Sequence, residues 1–171
     1  GGTGALKIGA DFLKRLNPEA MVYISDPSWE NHRALFENAG FQVETYPYYA
    51  PATRGVDFEG MKAKLASMAP GSIVVLHACC HNPTGADLDA TQWSAIIDIV
   101  REQGLLPFID MAYQGFADGI SQDAVALNLF VASGLQFFVS SSFSKSFSLY
   151  GERVGALSIV TASRDESSRV L

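Results

Sequence analysis

Six short apolar runs, most of them followed by an amphipathic stretch, limit what this chain can fold into. They are Met21–Ser25, Phe41–Tyr46, Ser72–His77, Leu105–Ile109, Leu135–Val139 and Val154–Val160. Ser72–His77 is apolar almost without interruption, which is the pattern of a strand covered on both faces in a parallel sheet. Between the runs, apolar residues return at helical spacing. Leu6, Ile8, Phe12, Leu13 and Leu16 mark a helix with a glycine-rich start, Gly1-Gly2-Thr3-Gly4. Ser28 is placed to cap a helix carrying Trp29, His32, Leu35 and Phe36. Further helices are expected over Asp57–Met68, over Ala90–Gln103 with Asp89 and Gln92 as a capping box, and over Asp123–Ser133. Strand and helix in alternation predict a three-layer α/β/α domain with a mainly parallel sheet.

Composition narrows the function classes. With 171 residues, 48% hydrophobic and 18% charged, the chain is expected to form one ordered domain. A net charge of −6 disfavours nucleic acid and anionic membrane surfaces as partners. No stretch approaches the ~20 apolar residues of a membrane span. The two cysteines, Cys79 and Cys80, are adjacent and cannot build a disulfide framework, so a reducing, cytoplasmic setting is expected. Both ends read as cut from a longer protein: the first residues already look like part of a functional loop, and Asp165–Leu171 is a charged, helix-like run.

Chemistry-bearing residues gather where strands end. In open α/β sheets, ligands collect beyond the carboxyl ends of the strands. Trp29 and His32 follow the first run, and His77 with His81-Asn82-Pro83-Thr84-Gly85 follows the third. Asp110 and Tyr113 follow the fourth, and Ser142, Ser144, Lys145 and Arg153 follow the fifth. A lysine at a strand end can form a Schiff base with an aldehyde, while serines and an arginine hold a phosphate. A glycine-rich helix start, with Gly2 and Thr3, also suits an anion. The run His77-Ala78-Cys79-Cys80-His81 invites a metal reading. In an extended segment, however, His77, Cys79 and His81 share one face, Cys80 points away, and no second ligand pair stands at zinc-finger spacing, so no metal is expected.

Taken together, these blocks resemble the fold-type-I pyridoxal-phosphate aminotransferases, in the branch of the aspartate and aromatic-amino-acid enzymes. The matching runs are Gly-Thr-Gly-Ala-Leu, Asp-Pro-Ser-Trp-Glu-Asn-His, His-Asn-Pro-Thr-Gly, Asp-Met-Ala-Tyr-Gln-Gly-Phe and the stretch from Ser142 through Arg153 to Gly155. Ser148 and Gly151 within Ser-Leu-Tyr-Gly-Glu-Arg look closest to the bacterial aromatic branch. The resemblance implies pyridoxal 5′-phosphate as cofactor, amino acids and 2-oxo acids as substrates, 2-oxoglutarate among them, and a homodimeric full-length protein. It implies that Lys145 carries the cofactor, that Asp110 pairs with the pyridine nitrogen, and that Asn82 and Tyr113 donate to the phenolic oxygen. Gly2, Thr3, Ser142, Ser144 and Arg153 would cradle the phosphate, Trp29 would stack on the ring, and His32 and His77 would support Asp110. Residues 1–171 would then be part of the large, cofactor-binding domain, with an N-terminal arm and a C-terminal small domain lying outside.

Three other readings stay open at this point. One is a different pyridoxal enzyme on the same fold, such as a decarboxylase or β-lyase. A second is a cofactor-binding fragment without activity. The third is a nicotinamide-binding domain, which the lack of Gly-x-Gly-x-x-Gly after a strand disfavours. The loop Tyr46-Pro47-Tyr48-Tyr49 is expected to be an exposed apolar patch if this segment stands alone.

Overall fold

The computed structural model describes residues 1–170. In chain order the elements are α1 (Gly2–Leu16), β1 (Met21–Asp26), α2 (Glu30–Asn38), β2 (Gln42–Pro47), β3 (Tyr49–Ala50), β4 (Gly55–Val56) and α3 (Phe58–Ala66). They continue with β5 (Ile73–His77), α4 (Ala90–Gln103), β6 (Leu106–Met111), α5 (Val125–Ser133), β7 (Phe137–Ser142), β8 (Gly155–Val160) and α6 (Arg164–Val170). Six strands form one sheet in the order β2-β1-β5-β6-β7-β8. All neighbours are parallel except β8, which runs antiparallel to β7. The pair β3–β4 makes a separate small antiparallel sheet.

Strand residues alternate between two cores, as the two-residue period of a strand requires. Ile73 and Val75 join Val22, Phe108 and Phe138 beneath Leu6 and Leu13 of α1 and Phe36 of α2. Val74 and Leu76 face the other way, with Ile109 and Phe137, onto Met61, Leu65, Trp93 and Phe130 of α3, α4 and α5. The result is the expected three layers. At α4 the anticipated capping box is present. The Asp89 side chain accepts from Gln92 N–H at 2.8 Å, and the Gln92 side chain accepts from Asp89 N–H at 3.0 Å.

Four expectations fail, each for a local reason. Ser28 does not cap α2: Trp29 is the N-cap residue, and the Ser28 hydroxyl bonds His32 Nδ1 at 3.0 Å instead. Asp123 does not lie in α5, because its carboxylate is taken by loop N–H groups and the helix starts at Val125. The chain bends after His77, so residues 77–81 are not one extended face. The aromatic loop is not exposed at Tyr46 or Tyr48, which are 1% and 4% exposed. Tyr46 donates its hydroxyl to the Val75 carbonyl and Tyr48 donates to that of Ala86, both at 2.7 Å. Of the final charged run, Leu171 lies outside the described residues. Among the described residues, no helix is long and apolar enough to cross a membrane.

Candidate active site

Parallel pairing brings the marked strand ends side by side. His77 of β5 stands level with Asp110 of β6, and Asp110 with Ser140 of β7. Two residues further, β7 ends at Ser142, which faces Gly155 at the start of β8. The first turn of α1 lies over that corner, where Ser140 Oγ donates to the Gly2 carbonyl at 3.0 Å. The approach is close enough to demand glycine at 155: a Cβ there would stand 2.6 Å from the Ser141 carbonyl oxygen and 2.6 Å from the carbonyl carbon of Gly1. Gly155, in the block matched from sequence, is therefore the seat of the helix start.

These ends surround a cavity of about 140 Å³. Gly2, Thr3, Ser142, Ser144 and Arg153 line its β7–β8 side. Backbone N–H groups of the first turn of α1 have no partner within the helix and carry the positive end of its dipole. With the Arg153 guanidinium and three hydroxyl side chains, that side suits an anion. Asn82, Asp110 and Tyr113 line the β5–β6 side, Trp29 enters from the end of β1, and Lys145 reaches in from the loop after β7. Asp110 is the one carboxylate in the lining. Lys145 enters no ion pair among the described residues. Its Nζ lies 5.3 Å from the centre of the Tyr113 ring and 4.8 Å from that of Tyr150.

The floor is a buried chain of polar groups. Asp110, 4% exposed, holds His32 Nε2 at 2.8 Å. A carboxylate only accepts, so the His32 Nε2–H donates to Asp110, while Nδ1 pairs with the Ser28 hydroxyl. The His77 ring packs 4.8 Å from that of His32 and 4.3 Å from that of His81, and both its nitrogens are buried without a partner. Burial first, then the neighbouring His32 and His81, push the His77 pKa well below the usual range, so the ring is neutral. Ligand atoms of His32, His77 and Asp110 lie within 4.8 Å of one another. That differs from the His77–Cys79–His81 grouping that the sequence invites, and here His32 and Asp110 already satisfy each other. Cys79 turns into the core, with its Sγ 3.7 Å from Met111 Sδ.

Of the residues anticipated from sequence, all but His32 line this one cavity, and His32 stands directly behind Asp110. Others come as additions. Leu6, Ala112 and Tyr150 also line the cavity. Tyr150 lies inside the motif that holds Lys145, so its position is legible in principle. His81 supports the floor: Ser25 Oγ holds its Nε2 at 2.9 Å, Thr84 Oγ1 holds its Nδ1 at 2.8 Å, and Tyr48 stacks on it at 3.8 Å. Burial above all, with His32 nearby, lowers the His81 pKa to about 4. No local sequence signal announces the whole arrangement, whose partners come from β1, from the turn after His81 and from the β2–β3 connection.

With the geometry in place, comparison with known proteins gives a consistent result. The family described as aminotransferase class I and II matches residues 1–170. A Pseudomonas aeruginosa protein named aspartate aminotransferase is 67% identical over all 171 residues, which cover 43% of its length. An Escherichia coli protein named aromatic-amino-acid aminotransferase is 56% identical, again over the whole chain and 43% of the relative. Among solved structures, an aromatic-amino-acid aminotransferase from Burkholderia pseudomallei, covalently bound to pyridoxal phosphate, superposes with a TM-score of 0.99. It is 66% identical, and the match covers 100% of this chain and 43% of that one. The chain thus spans less than half the length of these relatives.

Proposed function

The chain belongs to the class I and II aminotransferase family, and we propose from that premise that its cavity holds pyridoxal 5′-phosphate. The full-length protein would transfer amino groups between aromatic or acidic L-amino acids and 2-oxoglutarate. One observation carries this reading: an ion-pair-free lysine, a buried carboxylate and an anion-accepting helix start converge on one cavity. The donor set suits the cofactor's three polar ends, with cationic and hydroxyl groups for the phosphate, a carboxylate for the ring nitrogen, and neutral donors for the phenolic oxygen. When bound, the cofactor supplies an aldehyde for attachment and a ring that accepts the electron pair left when the substrate Cα loses its proton.

The residues of the chain divide the remaining work. Lys145 Nζ would hold the cofactor through its aldehyde, with loss of water, and as a free amine would serve as the base for the substrate Cα proton. Asp110 keeps a proton on the ring nitrogen, and His32 and Ser28 fix which way its carboxylate points. Asn82 and Tyr113 donate to the phenolic oxygen and favour its anionic form. Gly2, Thr3, Ser142, Ser144 and Arg153 hold the phosphate, which supplies local compensation in an acidic protein. Trp29 covers a ring face, while His77 backs Asp110 from the β5 side. The run Ser148-Leu149-Tyr150-Gly151 and the Burkholderia relative support the aromatic preference, and the Pseudomonas relative supports the acidic one.

Residues 1–171 form part of the large domain in this reading. An N-terminal arm, a small domain and a second subunit complete the site, and the exposed Phe147, Leu149 and Val154 mark surface available to them. For the segment alone the same reading gives a cofactor-binding unit without measurable turnover. To test it, the full-length protein is loaded with pyridoxal 5′-phosphate, reduced with borohydride and digested. The label is expected on Lys145, and a label on Lys7, Lys14, Lys62 or Lys64 overturns the assignment. In parallel, keto-acid formation is assayed from tyrosine and from aspartate with 2-oxoglutarate, where release of CO₂ or ammonia would point to another pyridoxal chemistry.

A further inference from the structure

Two aspartates outside the cavity gather the backbone of the loops that carry Asn82 and Tyr113. Asp123 is 4% exposed and accepts four backbone N–H groups. Its Oδ2 takes those of Gly115 at 2.7 Å and Ala117 at 3.1 Å, and its Oδ1 those of Asp118 at 2.9 Å and Gly119 at 3.3 Å. The Asp123 N–H returns a bond to the Gly119 carbonyl at 2.8 Å, closing the loop on itself. Asp87 does the same for the other loop, with its Oδ2 accepting from Cys80 N–H at 2.6 Å and its Oδ1 from His81 N–H at 2.8 Å. A thiol joins the two clasped loops, since Cys80 Sγ donates to the Tyr113 carbonyl at 3.8 Å.

The arrangement answers a physical need. Residues 112–124 contain no helix or strand, so their N–H groups must find acceptors elsewhere. One carboxylate serving four of them fixes the turn that leaves Tyr113. Gly119 has φ +138, a backbone conformation that residues with a side chain rarely adopt, so the clasp also depends on glycine. Burial alone would raise the Asp123 pKa. The four backbone donors outweigh it and hold the group below the usual carboxylate value, so the clasp stays charged down through mildly acid pH.

We propose that Asp123 and Asp87 are positioning residues that aim the Tyr113 phenol and the Asn82 amide at the cofactor's phenolic oxygen. The proposal rests on the roles given to Tyr113 and Asn82 above. Neither aspartate lines the cavity, so both act through the loop backbone.

The experiment uses the full-length holoenzyme and follows the visible absorption of the bound cofactor against pH. Donors to the phenolic oxygen lower the midpoint of that titration, and losing their aim raises it. Y113F and N82A serve as references and are expected to raise it directly. D123N puts an amide donor among N–H groups, and its midpoint is expected to rise by about 0.5–1 pH unit, a roughly three- to tenfold change in proton affinity. D87N is expected to move in the same direction by less, because Asp87 is exposed and water can replace it. D98N, on the outer face of α4, is expected to leave the midpoint unchanged. Melting temperatures are recorded for each variant.

If Y113F and N82A shift the midpoint while D123N and D87N do not, the proposal is overturned and the functional reading stands. A lower melting temperature with an unmoved midpoint makes the clasps merely structural and overturns the proposal in the same way. If Y113F and N82A leave the midpoint in place, the functional reading fails and the inference falls with it. Should D123N fail to fold, D87N decides alone.

Discussion

On the β5–β6 side of the cavity, Asp110, His32, His77 and His81 are all buried, and three of the four are tied by side-chain hydrogen bonds between 2.8 and 3.0 Å. On the β7–β8 side, the segment after Lys145 carries Phe147 at 67% exposure and Tyr150 at 63%. Arg153 there is also exposed, and among the described residues its side chain hydrogen-bonds only the Tyr150 carbonyl, at 3.1 Å and within the same loop. The first side is held by groups from β1, α2, β5 and β6 together, so its geometry is fixed by this chain. The second is held by a helix start and a glycine, while its outer rim has little to pack on. Electrostatic preorganisation therefore belongs to the buried side, and on the proposed reading dependence on the rest of the full-length protein would belong to the exposed one.

The largest effect should come from breaking the buried side at its charge. In the full-length protein, Asp110→Asn is expected to lower kcat/KM by several powers of ten. Removing one partner from a buried charge pair typically costs ~3–5 kcal/mol, and each ~1.4 kcal/mol is tenfold in rate. Steady-state kinetics with tyrosine and aspartate check it, and near-normal turnover would remove Asp110 from the centre of the chemistry.

Acid should find the same side next. His81 has a folded pKa of about 4 against an ordinary 6.5, and that of His77 is lowered in the same direction. Between these limits the unfolded chain binds protons that the folded one does not. Stability is therefore full above the unfolded value and is lost as pH falls from about 6.5 toward the folded value. At pH 5 the cost through His81 should be about 2 kcal/mol relative to pH 7. His81→Gln, which keeps a group near Ser25 but does not titrate, should flatten the fall in melting temperature over that window. An unchanged slope would show that His81 is not the group responsible.

The same division explains what can be read in the sequence. The cavity residues are legible because each stands at a strand end, in a run whose chemistry is local: Lys145 among serines, Asp110 closing an apolar strand, glycines opening a helix. The capping box at Asp89 and Gln92 is legible for the same reason. The misreadings at Ser28, Asp123 and the aromatic loop are cases of a group claimed by a partner other than the one a local rule assigns. Ser28 before a helix reads as a cap, yet its hydroxyl goes to His32. Asp123 before an apolar run reads as a helix start, yet four loop N–H groups claim it. Tyr46 and Tyr48 stand in a proline-containing loop that reads as exposed, and their burial depends on Val75, Ala86 and His81, far along the chain.

Tyr48 offers a smaller test of that buried support. Tyr48→Phe keeps the ring on His81 but leaves the Ala86 carbonyl without its donor. The expected loss is about 1 kcal/mol, the usual net worth of one hydrogen bond, read as a shift in denaturant midpoint with unchanged slope. A loss of several kcal/mol would mean that the loop from Asn82 to Asp89 depends on this bond far more than its geometry suggests.

The smallest effect on stability, and the most informative about the rim, should come from Phe147→Ser. Phe147 packs edge-on to Phe143 at 5.4 Å but remains mostly in solvent, so its removal should change stability by no more than about 0.5 kcal/mol. Its effect should appear in association instead. Phe147, Leu149, Tyr150 and Val154 are exposed large hydrophobic residues close together in one loop, and such a patch favours self-association. Residues 1–171 expressed alone are expected to sediment as aggregates or oligomers, with Phe147→Ser lowering the associated fraction at an unchanged melting temperature. The cause differs from the one the sequence suggests, since Tyr46 and Tyr48 are buried and cannot supply the patch. If the variant instead melts earlier and associates as before, Phe147 belongs to the folded core of the loop. The rim would then be built like the floor, and the contrast between the two sides would fail.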